Sequence, residues 1–185
     1  MVSGSSSSQT NKVLQLVQKG KPEQLQAIMT EVQAGFDIDK ALDPLGRNCL
    51  ILFAQKENQQ GVTMCVKNGA DFNKKDLYGR SALHYLVQSH DPTTTKLVED
   101  LIEANNVQEF IDLNQCSNSG VTALMLACKH GNSKMVQALL NGSASPFLKD
   151  QLGQDALEYL VSQVHDKQTK NFAEMINVAK AQWKN

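Results

Sequence analysis

Four histidines and four cysteines are the side chains of this 185-residue chain best suited to hold a metal or to attack a substrate. They are His84, His90, His130 and His165, with Cys49, Cys65, Cys116 and Cys128. Zinc sites draw their ligands in closely spaced pairs, and no Cys-x-x-Cys pair occurs here. A nucleophile needs a base and an orienting group in defined geometry, and neither His84 nor His130 has a neighbouring Cys, Ser or acidic pattern that reads as such a triad. The sequence holds no Gly-rich phosphate loop and no His-Glu-x-x-His motif. These residues therefore predict no catalytic, cofactor-binding or metal site, and no enzyme. Three of the cysteines fall within or beside apolar helix faces, where a free thiol behaves as a small hydrophobe. A reduced, intracellular protein is the expectation.

The elements that position these residues are set out by glycines. Gly46 to Gly79 spans 33 residues, and Gly120 to Gly153 spans 33 again. Each opens a related phrase: Gly-Arg-Asn-Cys-Leu, Gly-Arg-Ser-Ala-Leu, Gly-Val-Thr-Ala-Leu and Gly-Gln-Asp-Ala-Leu. Self-similarity at a fixed period is the mark of a repeat array. Leu50, Ala54, Leu83, Leu124 and Ala127 sit at spacings that face one side of a first helix. Val62, Cys65 and Val66, then Val98, Leu101 and Ile102, then Val136, Leu139 and Leu140 do the same for a second. Two short helices cannot bury such faces alone; stacking one pair on the next makes a continuous core. Gly69 and Gly142 follow second helices, where a residue of positive φ ends a helix cheaply. Asp43, Asp76 and Asp150 each stand three residues before a repeat glycine, a position suited to a turn.

The pattern resembles the ankyrin repeat, whose signature is a Thr-Pro-Leu-His-x-Ala phrase at a period of about 33 residues. The third unit carries the resemblance best, with Gly120-Val121-Thr122-Ala123-Leu124-Met125-Leu126-Ala127 followed by His130-Gly131-Asn132. The ending Asn68-Gly69-Ala70-Asp71-Phe72-Asn73 and the phrase Asp76-Leu77-Tyr78-Gly79-Arg80-Ser81-Ala82-Leu83-His84 add to it. The resemblance covers residues from about 43 to about 161 and implies an all-α solenoid of stacked helix–turn–helix units joined by hairpin-like turns. The copies also depart from the family. Cys49, Ala82, Ala123 and Ala156 replace the motif proline, only His84 keeps its histidine, and Glu57 and His90 stand where a mid-repeat glycine is usual. Asp91 or Thr93 is placed to cap the second helix of the second unit. Gly79 to Gly120 is 41 residues, so that unit carries eight extra, expected within Glu103–Cys116 as either a binding loop or a longer helix and turn.

The expected organisation is a flexible Ser-rich tail or expression remnant over 1–9 and a degenerate N-terminal capping repeat over 10–42. Repeats follow over 43–75, 76–116 with the insertion, and 117–149, then a C-terminal capping repeat and helix over 150–185. The capping repeat reads as two helices within Asn11–Ala34. The last helix carries Phe172, Met175, Ile176, Ala179 and Trp183 at steps of three and four. It either closes the array or, with Trp183 as an anchor, docks a partner. Eighteen basic against nineteen acidic residues give a net charge of -1, which argues against general attraction to nucleic acid or anionic membrane. No run of about 18 apolar residues is present, so no membrane span is expected, and no secretory signal is visible. Cytoplasmic residence is predicted, with nucleus and cytoskeleton left open.

By the resemblance, His84 is a structural residue bonding neighbouring loops, and partners contact a concave face of turn tips and first-helix ends. Carried over by position, the binding residues are Leu45, Arg47, Lys56, Leu77, Tyr78, Arg80, Asn118, Val121, Lys129, His130 and Leu152. The helix ends also bring Gln55, Gln88 and Ser89 to that face. Tyr78 flanked by Arg47 and Arg80 is the sharpest candidate, since Tyr and Arg are enriched among interface hot spots. The expected function is a non-catalytic protein-interaction module: an adaptor, a scaffold or a subunit of a large assembly. The alternatives are an inhibitory subunit of an enzyme and a targeting domain of a longer one. The expected partner is a protein with an acidic or mixed-charge peptide, with no nucleic acid, small-molecule substrate or cofactor.

Overall fold

Short apolar stripes interrupted every few residues by Asn, Asp, Thr and Gly predict short capped helices, and the computed structural model consists of these. It describes residues 3–103, 111–161 and 167–182. The helices are α1 (Ser3–Lys19), α2 (Pro22–Gln33), α3 (Cys49–Gln55), α4 (Gln59–Lys67), α5 (Ala82–Leu86), α6 (Pro92–Glu103), α7 (Ala123–Lys129), α8 (Ser133–Asn141), α9 (Ala156–Val161) and α10 (Lys167–Gln182). Among the described residues no strand forms; an isolated antiparallel bridge links Cys116 and Thr122. The chain divides into two compact units, Met1–Ala82 and Leu83–Asn185.

Within the first unit, α1 packs on α2 and α3 on α4, and the pairs stack with α1 on α3 and α2 on α4. Val13, Val17, Ile28, Leu50, Phe53 and Val62 are buried between them. At the centre, α3 and α4 approach so closely that a Cβ on Gly61 would lie 2.4 Å from the Phe53 ring. In the second unit, α7 packs on α8, α6 on α8, and α7 on α9. Helix α10 closes the stack by packing on α8 and α9, with Ile176 fully buried and Lys180 Nζ 2.6 Å from Asp155 Oδ2. The Phe172 side chain, Trp183, His165 and residues 104–110 of the expected insertion lie outside the described residues.

Three local expectations change. Helix α1 starts at Ser3, so most of the stretch read as a tail is helical. Serine is only a mildly poor helix former, and adding residues to a helix already anchored by Val13 and Val17 costs little. Gly142 caps α8 at φ -78, and the positive φ falls on Ser143 at +70. Gly142 meets a packing constraint instead: a Cβ there would come within 2.8 Å of the Ile102 Cγ2 and Leu113 Cδ1 methyls, which would have to shift. Ser89 is buried, not presented at a helix end. Its hydroxyl accepts from Asp91 N and its carbonyl from Asn132 Nδ2.

Gly61 and Gly69 separate two kinds of constraint. Gly69 has φ +78 and open space around its Cβ direction. Gly69→Ala should cost about 1–2 kcal/mol through left-handed strain alone, and Gly61→Ala about 1–3 kcal/mol through overpacking. In urea unfolding, Phe53→Leu should recover part of the Gly61→Ala loss and none of the Gly69→Ala loss. Equal behaviour of the two in that double-mutant cycle would contradict the packing assignment.

Candidate protein-interaction surface

Each repeat glycine sits at the end of a four-residue turn whose amides are gathered by one side chain. Asp43 Oδ1 accepts from Leu45 N and Arg47 N, both at 3.0 Å. Asp76 Oδ1 accepts from Tyr78 N and Arg80 N at 2.9 Å. Asp150 Oδ1 accepts from Leu152 N and Gln154 N at 2.9 Å. Ser117 takes the place in the third turn, its hydroxyl accepting from Val121 N. Burial would raise the Asp150 pKa, but hydrogen bonds from Gln154 N, Tyr159 OH and Leu152 N outweigh it and hold the carboxylate below its ordinary range. Successive turns are tied by the backbone, Leu77 N donating to Leu45 O at 2.9 Å and Gln151 N to Ser119 O at 3.0 Å.

Two residues past each glycine, an oxygen-bearing side chain starts the first helix. Asn48 Oδ1 accepts from Ile51 N, Thr122 Oγ1 from Met125 N, and Asp155 Oδ1 from Leu157 N. The second helices start similarly, and their caps also reach back one repeat. Asn58 Oδ1 accepts from Gly61 N while its Nδ2 donates to Gly20 O at 2.7 Å. Asn132 Oδ1 accepts from Met135 N while its Nδ2 donates to Ser89 O at 2.9 Å. Asp91, rather than Thr93, caps α6, its carboxylate accepting from Thr93 N. The sequence reading missed the Asn58 and Asn132 bridges, although their recurrence just after Glu57 and Gly131 was the available signal.

In the first unit the expected binding residues divide into committed and open groups. Arg47 is committed: Nε lies 2.7 Å and a terminal nitrogen 2.6 Å from Asp43 Oδ2, and the other terminal nitrogen reaches Gln55. Lys56 donates to Gln18 O at 2.6 Å. Leu45 is half-buried and Leu77 exposed, its side chain lying over Gly46. Tyr78 is 54% exposed, and the Arg80 guanidinium stands 6.0 Å from its ring centroid. Arg80 forms no ion pair among the described residues. The structure thus brings Leu77, Tyr78 and Arg80 to one turn and turns Arg47 back into its own.

In the second unit the expected residues are more dispersed. Leu152 is 83% exposed at its turn tip. Asn118 is exposed, and its carbonyl accepts from Gln151 Nε2. Val121 is half-buried, its carbonyl accepting from His84 Nε2 at 3.1 Å. That bond fixes the proton of neutral His84 on Nε2 and gives it the loop-bridging role. Lys129 is exposed, and half-buried His130 meets His90 edge-on with ring centroids 6.2 Å apart. Among the described residues no cluster of three metal-ligating side chains forms, and no helix is long and apolar enough to cross a membrane.

Residues 94–172 match the family model for ankyrin repeats, in three copies. The chain carries ankyrin repeats. It is 28% identical over 138 residues to a putative ankyrin repeat protein of Rickettsia bellii, covering 75% of this chain and 73% of that protein. It is 30% identical over 132 residues to human transient receptor potential cation channel subfamily A member 1. That match takes in 71% of this chain but spans only 11% of the channel subunit. Ankyrin repeats are protein-interaction modules as a class and are typically non-catalytic.

The histidine pair of this ankyrin array makes a measurable signature. Burial first, then the neighbouring His90 and Lys129, lower the His130 pKa. A group whose folded pKa is depressed stabilises the fold above its unfolded value and loses that contribution as pH falls through the folded one. Proton NMR should therefore show His130 titrating below about 6.5, and its share of stability should fade on acidification below that point. His90→Ala should move the His130 pKa upward. A His130 pKa at or above the ordinary value would contradict this geometry.

Proposed function

We propose that the chain is a non-catalytic adaptor, scaffold or assembly subunit that holds a protein partner at the turn tips of its first unit. One observation carries the proposal: exposed Tyr78 and half-buried Arg80 stand together at one turn tip, with no ion pair among the described residues consuming the arginine. A tyrosine presents a large amphipathic area at low entropic cost, and a guanidinium offers five donors matched to carboxylates. Leu77 adds exposed apolar surface on the same turn. The partner chemistry that fits is an acidic or mixed-charge peptide with an apolar residue for the Leu77–Tyr78 surface. Buried thiols support an intracellular setting: burial pushes Cys128 up to about 12, and Cys49 and Cys65 are fully buried.

Arg47 and Arg80 share a repeat position, and their substitutions separate folding from binding. Arg47→Ala should lower stability by roughly 1.5–3 kcal/mol, the range for hydrogen bonds to charged groups, and leave partner capture intact. Tyr78→Ala/Arg80→Glu should keep the melting transition and lose the partner in a pull-down from source-cell lysate identified by mass spectrometry. Capture of every partner by the folded double variant would defeat the proposed site.

A further inference from the structure

We propose that the face of the second unit formed by α6, α8 and α10 docks a basic amphipathic helix from a partner protein. Two adjacent grooves flank α8 on this face. One, about 500 Å³, runs between α8 and α10; the other, about 200 Å³, runs between α6 and α8. Gln137 and Asn141 line both, so the grooves meet across a single helical strip. The larger volume lies in the range of about 300–1,000 Å³ that seats small ligands or a few side chains.

The grooves combine apolar and acidic side chains. Leu140, Met175, Val178 and Ala179 give the larger groove an apolar strip beside polar Gln137, Asn141 and Gln182, and Val178 is 56% exposed. Carboxylates flank α8, with Glu174 on one side and Glu99 and Glu103 on the other. None of these three carboxylates forms an ion pair among the described residues. The nearby cations are committed: Lys96 Nζ lies 2.8 Å from Asp100, and Lys180 Nζ lies 2.6 Å from Asp155. The Lys96 ammonium is held in its charged form by Asp100, Glu103 and Glu99, which shows the sign of the local field.

An apolar strip flanked by carboxylates on both sides of α8 selects an occupant with an apolar stripe flanked by Lys or Arg. A helix supplies that arrangement at i, i+3, i+4 and i+7 and can lie in the groove between two helices. Strand addition by an extended peptide needs an open sheet edge, and no strand forms among the described residues. An acidic occupant would face three like charges. This surface is separate from the turn tips assigned above and does not depend on them.

The test uses the full chain and a synthetic amphipathic peptide of about 18 residues, long enough to form a helix. It carries Leu at helical spacing and Lys elsewhere; a scrambled peptide and a Glu-for-Lys peptide serve as controls. Fluorescence anisotropy at physiological salt should show binding that is at least about tenfold weaker for either control. Val178→Asp, at an exposed position, and Glu99→Lys/Glu103→Lys should each weaken binding by about tenfold or more. Glu23→Lys, on α2 of the first unit, and the Tyr78→Ala/Arg80→Glu variant should leave it unchanged. Equal affinity for the scrambled peptide, equal loss with Glu23→Lys, or no binding at all would overturn the proposal. Self-association of the chain abolished by Val178→Asp would assign the face to a second copy and overturn it as well.

Discussion

The tip turns depend on one side chain, three residues before each repeat glycine, that gathers backbone amides of the turn. An unpaired amide at a tight turn costs free energy comparable to a lost hydrogen bond, and Asp43, Asp76 and Asp150 each satisfy two with one carboxylate oxygen. With the turn fixed internally, its remaining groups are free to bond to the neighbour, as Leu77 N does to Leu45 O and Gln151 N to Ser119 O. The asparagine caps do the same at the far end of the first helices, since Asn58 and Asn132 each begin one helix and bond to the preceding repeat. Polar satisfaction and repeat stacking are thus one network. Side chains beside the glycine that stay outside this network, as Leu77 and Tyr78 do in the second turn, can vary without breaking it.

Arg47 and Arg80 show how that freedom is used. Both follow a repeat glycine, yet the first is locked to Asp43 and Gln55 and the second rests on an aromatic ring. The residue before the glycine accompanies the difference: Leu45 in one turn, Tyr78 in the other. An exposed cation–π contact contributes about 0.5–1 kcal/mol, against about 1.5–3 kcal/mol for hydrogen bonds to a charged group. A partner can therefore recruit the Arg80 guanidinium at much lower cost than that of Arg47. Equivalence of position does not carry over to equivalence of role.

The repeat period, the helix pairs and the turn aspartates were legible in the sequence because each rests on local chemistry repeated several times. Glu57 shows repeat geometry overriding local preference: it adopts φ +54 where Gly131 adopts +66. The sequence marked Glu57 as a departure, and the fold keeps the turn despite the strain of a left-handed non-glycine residue. What was not legible depends on distant contacts. Gly142 reads as a helix terminator, but a side chain there would have to displace the Ile102 and Leu113 methyls, and the positive φ moves one residue on. Ser89 reads as a solvent-facing helix end until Asn132, 43 residues later, covers its carbonyl. The commitment of Arg47 was likewise invisible, because an i,i+4 carboxylate can pair with an arginine or leave it to solvent.

The side chains with chemical potential are largely drawn into this framework, and that bears on function. His84 spends its Nε2 proton on the Val121 carbonyl. Burial pushes the Cys128 thiol up to about 12, leaving it protonated at neutral pH, whereas nucleophilic attack needs the thiolate. The Tyr159 hydroxyl is pushed to about 12 by burial and by its bond to Asp150, which uses it as a strut for the last turn. The exposed surface is rich instead in groups suited to contact: Leu77, Tyr78 and Leu152 at turn tips, and Val178 lining a groove. Exposed apolar area carries a hydration cost that burial against a partner removes. Groups able to react are mostly consumed by folding here, while groups able to adhere are left uncovered, the distribution expected of a protein that acts through what it touches.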